Sequence, residues 1–171
     1  VANVLRVFTT FGVKYPEAAQ RLVLEYAGAH GAMLTSRPNL PLRVIDHGFL
    51  THRDANALRK RSNVQLFAQP ATTHAHVSSG KIFEMIRSGV PILALTWPDG
   101  TVARLIKDTH TGSTFDPLDA ESAADSLKLQ FDQWVSDGRV DFEPVIERIG
   151  AYSRKNLTVE LSRVLTSVVN R

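Results

Sequence analysis

Between His74 and Leu95 the chain reads HAHVSSGKIFEMIRSGVPILAL, a stretch that gathers two histidines one residue apart, a Ser-Ser-Gly-Lys run and a glutamate, Glu84. Ser79 is a suitable N-cap for a helix over GKIFEMIRS. The amides of Gly80, Lys81 and Ile82 would then point out of the helix start, with the positive end of the dipole behind them. Such a start binds anions, helped by a glycine that admits close approach of an oxygen and by Lys81 as a mobile cation. A nucleoside-triphosphatase loop is excluded, because it requires glycine five residues before Gly-Lys-Ser/Thr, whereas Ala75 precedes Gly80 and Ile82 follows Lys81. His74 and His76 point the same way on an extended segment, but no third ligand stands at a characteristic spacing, so no metal is expected.

Glu84 admits two readings. On a helical wheel Ile82, Phe83, Met85 and Ile86 form the buried face, and Glu84 projects oppositely with Lys81 and Ser88. It is then either a solvated first-turn carboxylate paired with Lys81 at i,i+3, or an acceptor for two hydroxyls of a vicinal diol such as a ribose. With a diphosphate held at the helix start, the second reading describes half of a nucleotide.

The elements that must position these groups follow from periodicity. RLVLEYAG, LRVIDHGF, VQLFAQP, PILAL and a short run near Ser113 to Phe115 read as strands. Between them lie helical patterns: an opening stripe of Val1, Val4, Leu5, Phe8 and Phe11, a helix-and-loop connection through AHGAMLTSRPNLP, THRDANALRKRS, the Glu84 helix ended by Gly89, and DGTVARLIKDTHTG with Asp99 as N-cap and Gly112 past its end. Asp119 is expected to cap a helix through Trp134 and Val135, and Leu157, Leu161, Val164, Leu165 and Val168 stripe a terminal amphipathic helix. Strands alternating with helices predict one α/β domain, a doubly wound parallel sheet with helices on both faces. In such sheets ligands sit at the carboxyl ends of strands, which is where the loop Ala71 to Ser79 falls.

Composition bounds the rest. A chain of 171 residues, 43% hydrophobic and without cysteine, can bury a core but can form neither a disulfide nor a thiolate metal site. A cytoplasmic location is expected, since no apolar run approaches the ~18 to 20 residues of a spanning helix and the opening residues lack a signal-peptide layout. The formal charge of +3 suits an anionic ligand or a peripheral contact with acidic lipid, and the only basic cluster, Arg59, Lys60 and Arg61, reads as a solvated helix end rather than a nucleic-acid surface. His30, His47, His52 and His110 receive no role, and Trp97 and Trp134 read as packing residues.

The segment SSGKIFEMIRSGVPILALTWPDGTVARLIKDTHTGSTFDPLDAESAADSL resembles the nucleotide-sugar-binding core of the group 1, GT-B glycosyltransferases, with its Lys-hydrophobic-Phe-Glu helix, Ser-Gly-x-Pro turn, strand, helix, glycine and Asp-Pro segment. Upstream and terminal elements match the family's order over roughly residues 15–168. The resemblance implies a Rossmann-like carboxy-terminal lobe that binds the nucleoside-diphosphate sugar of a retaining, metal-independent hexosyltransferase. It implies Glu84 on the ribose hydroxyls, backbone amides of Ser79, Gly80 and Lys81 near the diphosphate and sugar, and Phe49, Leu50 and Thr51 against the base. It places no catalytic residue in this chain and no cofactor beyond the donor substrate. The partners it implies are that donor, an acceptor and an amino-terminal lobe of the same protein.

Two departures qualify it. The first glutamate of the family's Glu-x7-Glu motif is replaced by His76, although branches with a Ser-x-Lys-hydrophobic-Phe-Glu helix dispense with that glutamate. The lobe's first strand, bearing Arg and Lys for the diphosphate, is expected before residue 1, so that the chain reads as an excised fragment. A non-catalytic nucleotide-sugar-binding module and a nucleotide-sugar epimerase of the same fold are the alternative readings.

Overall fold

A computed structural model describes residues 2–36, 40–72, 74–77 and 79–169. The opening helix α1 (Ala2–Lys14) and α2 (Pro16–Arg21) lead into β1 (Val23–Tyr26); α3 (Ala32–Thr35) joins it to β2 (Arg43–Asp46). Then follow α4 (His52–Arg61), β3 (Gln65–Ala68), α5 (Lys81–Met85), β4 (Ile92–Leu95), α6 (Thr101–Thr109) and β5 (Gly112–Phe115). The chain continues through α7 (Ala120–Asp137), α8 (Ile146–Ala151) and α9 (Arg154–Val169).

All strand pairings are parallel, giving a Rossmann-like α/β architecture, but the strands do not form the single doubly wound sheet expected from the sequence. β1 and β2 make a two-stranded sheet, and β3, β4 and β5 a three-stranded one in that order. Side-chain alternation distributes β3 and β4 between two helical layers. Leu66, Leu93 and Leu95, together with Leu24 of β1 and Val44 of β2, pack with Val4, Val7, Phe8 and Phe11 of α1, Ala18 and Ala19 of α2, and Ala123, Ala124 and Phe131 of α7. Phe67, Ile92 and Ala94 face Ile82, Met85 and Ile86 and the α6 residues Val102, Leu105 and Ile106 on the other side. One helical layer therefore covers both sheets.

Local chemistry sets the element ends. Asp119 caps α7 as expected, its carboxylate accepting from Ser122 N at 3.0 Å, and Gly138 ends that helix at φ 72°. The ends of α6 differ from expectation: Gly100 rather than Asp99 is its N-cap, with no side-chain bond, and His110 at φ 52° ends it. Gly112 instead begins β5, and a Cβ there would stand 1.9 Å from Ile92 O, so only glycine lets β5 close on β4. Pro16 starts α2 and Val145 N donates to Thr109 O before α8, two short helices that the periodicity did not announce. In α1, Val7 joins Val4, Phe8 and Phe11 in the core, Leu5 is half-buried, and Val1 lies outside the described residues. No residue of α9 is buried: its stripe forms but faces solvent, with Leu161 58% and Leu165 57% exposed. Among the described residues no helix is long and apolar enough to cross a membrane.

Candidate functional site

Because the strands are parallel, the loops that follow them share the carboxyl edge of their sheet. The segment after β3 is held there by a buried polar pair. Gln69, 5% exposed, donates from Nε2 to Val77 O at 2.6 Å and accepts at Oε1 from the fully buried Thr96 hydroxyl after β4. Thr101 N donates to Ala75 O at 3.0 Å and Val77 N to His74 O at 3.0 Å, so the loop is tied to the start of α6 as well. His74 and His76 are both exposed. Among the described residues no group of three or more His, Cys, Asp or Glu could hold a metal ion.

The helix that follows is shorter than its sequence pattern. It spans Lys81–Met85, with turns continuing to Gly89, and Gly80 in the αR region rather than Ser79 occupies the N-cap. Ser79 still contributes, but its hydroxyl accepts from Lys81 N at a long 3.4 Å while its carbonyl accepts from Ile82 N at 3.0 Å. Among the described residues other than its chain neighbours, nothing lies within 4 Å of where a Gly80 Cβ would stand. Ile82, Met85 and Ile86 are buried as expected, whereas Ser88 turns inward and accepts from Gln65 Nε2 at 2.7 Å.

Glu84 does not pair with Lys81. Its Oε1 accepts from His52 Nε2 at 2.9 Å and its Oε2 from an Arg59 guanidinium nitrogen at 2.9 Å. Asn56 completes a closed ring, accepting from Arg59 at Oδ1 and donating from Nδ2 to His52 Nδ1 at 3.1 Å. With Nδ1 as the acceptor, the His52 proton sits on Nε2 and points at Glu84. The His52 hydrogen bond, with the Arg59 charge, outweighs burial and holds the Glu84 carboxyl below its ordinary range. His52, Asn56 and Arg59 stand at i, i+4 and i+7, one face of α4, and that spacing was the available sequence signal for them.

A second cluster of the same composition lies on the two-stranded side. Glu25 Oε1 accepts from His47 Nε2 at 3.1 Å and from Arg61 at 2.9 Å. Burial raises this carboxyl, but the His47 bond and the Arg61 guanidinium prevail and leave it lowered. The basic end of α4 is thus not simply solvated: Arg59 and Arg61 are both committed to carboxylates, one on each side of the helix's connection.

Of the residues singled out in the sequence, Ser79, Gly80, Lys81 and Glu84 lie on one continuous segment at the carboxyl edge, and His76 lies on the loop feeding it. Leu50 is half-buried in the turn after β2, beside Phe49, which is 84% exposed, and Thr51, whose hydroxyl accepts from Asp54 N to cap α4. The His52–Glu84 contact brings this turn to α5. The chain matches no protein-family model, and no curated protein is significantly similar to it.

Proposed function

We propose that the chain is the donor-binding lobe of a group 1, GT-B glycosyltransferase, which holds a nucleoside-diphosphate sugar for transfer with retention of configuration. The observation that carries the reading is the placement of Glu84: an ionised carboxylate at the carboxyl edge, one turn from Gly80, beside whose Cβ position no described residue other than its chain neighbours stands. A carboxylate offers about four lone-pair sites, and His52 and Arg59 use two, so acceptor capacity remains for the two hydroxyls of a ribose. His52 and Arg59 thereby act as positioning residues that keep Glu84 charged and oriented. The amides at Ser79, Gly80 and Lys81, with the Lys81 ammonium, take the diphosphate and stabilise it as a leaving group. Phe49 and Leu50 present apolar surface to the base. Transfer requires acceptor groups on an opposing lobe, so the 171 residues alone bind without transferring.

Calorimetry with uridine, guanosine and adenosine diphosphates on wild type and Glu84→Gln tests this reading. Glutamine converts one acceptor to a donor, so affinity for the preferred diphosphate falls at least about tenfold, while a 2′,3′-dideoxy analogue is indifferent to the change. Equal binding of the ribose nucleotide by both proteins refutes the diol contact. A second reading, a non-catalytic nucleotide-sugar-binding module, draws on His76, which stands where the family's motif has its first glutamate. Sugar hydrolysis or transfer by the full-length protein would eliminate it.

A further inference from the structure

An open groove of about 650 Å³ lies between α5, α6 and α8, on the face of the three-stranded sheet opposite α7. Its floor is apolar: Leu105 is 5% exposed, and Phe83 and Tyr152 are half-buried with ring centroids 6.2 Å apart. Its rim is cationic, with Arg104 and Lys107 one turn apart on α6 and Arg148 on α8, all exposed. Among the described residues one carboxylate, Asp108, lines it, and that group is already committed: Oδ1 accepts from Arg148 at 2.7 Å and Oδ2 from the Tyr152 hydroxyl at 3.3 Å. Neither Arg104 nor Lys107 has a carboxylate partner among the described residues. The groove therefore suits an apolar side chain flanked by carboxylates.

The chain carries such a segment on its other side. From Asp116 to Asp125 it has Asp116, Asp119, Glu121 and Asp125 and no lysine or arginine. Leu118, 53% exposed, stands in the turn before α7 between Asp116 and Asp119. Its backbone is held at both ends, N donating to Asp116 Oδ1 at 2.8 Å and O accepting from Arg6 at 3.2 Å. A leucine presented on an ordered turn meets a partner with little loss of conformational freedom. Asp125 is taken by Lys14 and Tyr15, whereas Asp119, which caps α7 with Oδ1, keeps Oδ2 for a partner, and Glu121 is exposed. We infer that this turn of one copy docks in the groove of a second copy, with Leu118 on the Phe83, Leu105 and Tyr152 floor and Asp119 and Glu121 against Arg104 and Lys107. A second copy is the occupant because both halves of the complementary pair stand on this one chain. The three-stranded sheet separates them, so neither satisfies the other internally, and each docking leaves one turn and one groove unfilled. The contact is head-to-tail, and association continues past two copies into a ring or an open chain. Glu84 and the Ser79 to Lys81 backbone take no part, so the inference does not depend on nucleotide binding.

Sedimentation velocity from about 1 μM to about 1 mM at low salt tests the contact. Wild type should shift to species beyond the dimer as concentration rises and return to monomer in about 0.5 M salt. A groove variant, Arg104→Glu with Lys107→Glu, and a turn variant, Leu118→Ser with Glu121→Ser, should each stay monomeric. All four side chains are exposed, so both variants should melt near the wild-type temperature. Mixed in equal amounts, the two variants should form a dimer that grows no further, because the intact turn of one enters the intact groove of the other and the surfaces left over are both disabled. A wild type that stays monomeric across the range overturns the second copy as occupant. Association that either variant retains alone overturns the choice of surfaces, and a mixture that stays monomeric, or that grows beyond the dimer, overturns the pairing of turn with groove.

Discussion

Strand β4 reads ILAL and strand β1 VLEY, with Glu25 among its residues; every residue of β4 is buried and none of β1 is. β4 lies between two neighbours with helices on both faces, whereas among the described residues β1 has one strand neighbour, and its Val23 is 48% exposed. The burial of each strand follows both its composition and what flanks it. The candidate site lies where the two halves meet: α4 joins them in sequence, and its His52 and Arg59 reach Glu84 on one side while Arg61 reaches Glu25 on the other. Apolar packing under α1, α2 and α7 spans both halves, and charge-assisted hydrogen bonds from α4 add to the connection across the divide.

Substitutions can break this contrast. Leu95→Ala removes a fully buried side chain between α1 and α7 and should cost about 2 to 5 kcal/mol, while Leu24→Ala on the half-buried β1 should cost on the order of 1 kcal/mol; chemical denaturation measures both. Equal costs would show that β1 is as tightly enclosed as β4. Gly112→Ala forces a methyl group against Ile92 O and should lose roughly 1 to 3 kcal/mol, whereas Gly80→Ala, facing open space, should leave the melting temperature nearly unchanged.

The polar connections respond on a smaller scale. Glu25→Gln, which weakens the contacts with His47 and Arg61, should cost about 0.2 to 1 kcal/mol in a denaturant titration. Acid should reveal Glu25 and Glu84 together, because both carboxyls are held below their ordinary range in the folded protein. Their contribution is complete above the unfolded carboxylate value near about 4.3 and fades as pH drops through the lower folded values. A Glu25→Gln, Glu84→Gln double variant should therefore lose less melting temperature than wild type between about pH 6 and pH 3. An identical acid slope would show that the two clusters do not support the junction.

Much of this was legible in the residues. Among the described residues β1 to β4 fall inside the apolar segments read as strands, β5 begins one residue before its reading, and Asp119 caps its helix, because these signals are local. The Glu84 segment was legible as a helix at the carboxyl edge, with Ile82 and Met85 buried. Glu84's partners were not, since Lys81 lies one turn away in sequence whereas His52 and Arg59 arrive from a different helix. Likewise Ser88 is on the outer side by wheel geometry but bonds Gln65 because α5 loosens into turns after Met85. Neither the partition of the strands nor the exposure of α9 could be read from periodicity, which specifies that a face is apolar and not what covers it.

The exposure of α9 has an optical consequence. This 16-residue helix buries none of its residues, and helices in proteins draw most of their stability from tertiary packing, so it contributes helical ellipticity with little share in the cooperative core. Both tryptophans, Trp97 and Trp134, lie elsewhere. On heating, the far-ultraviolet circular dichroism of the chain should begin to fall while tryptophan fluorescence still reports a folded core, and the two curves should not superimpose. Substitutions in the sheets are then best compared through the tryptophan signal, since the dichroism averages their effect with the fraying of a helix they do not touch.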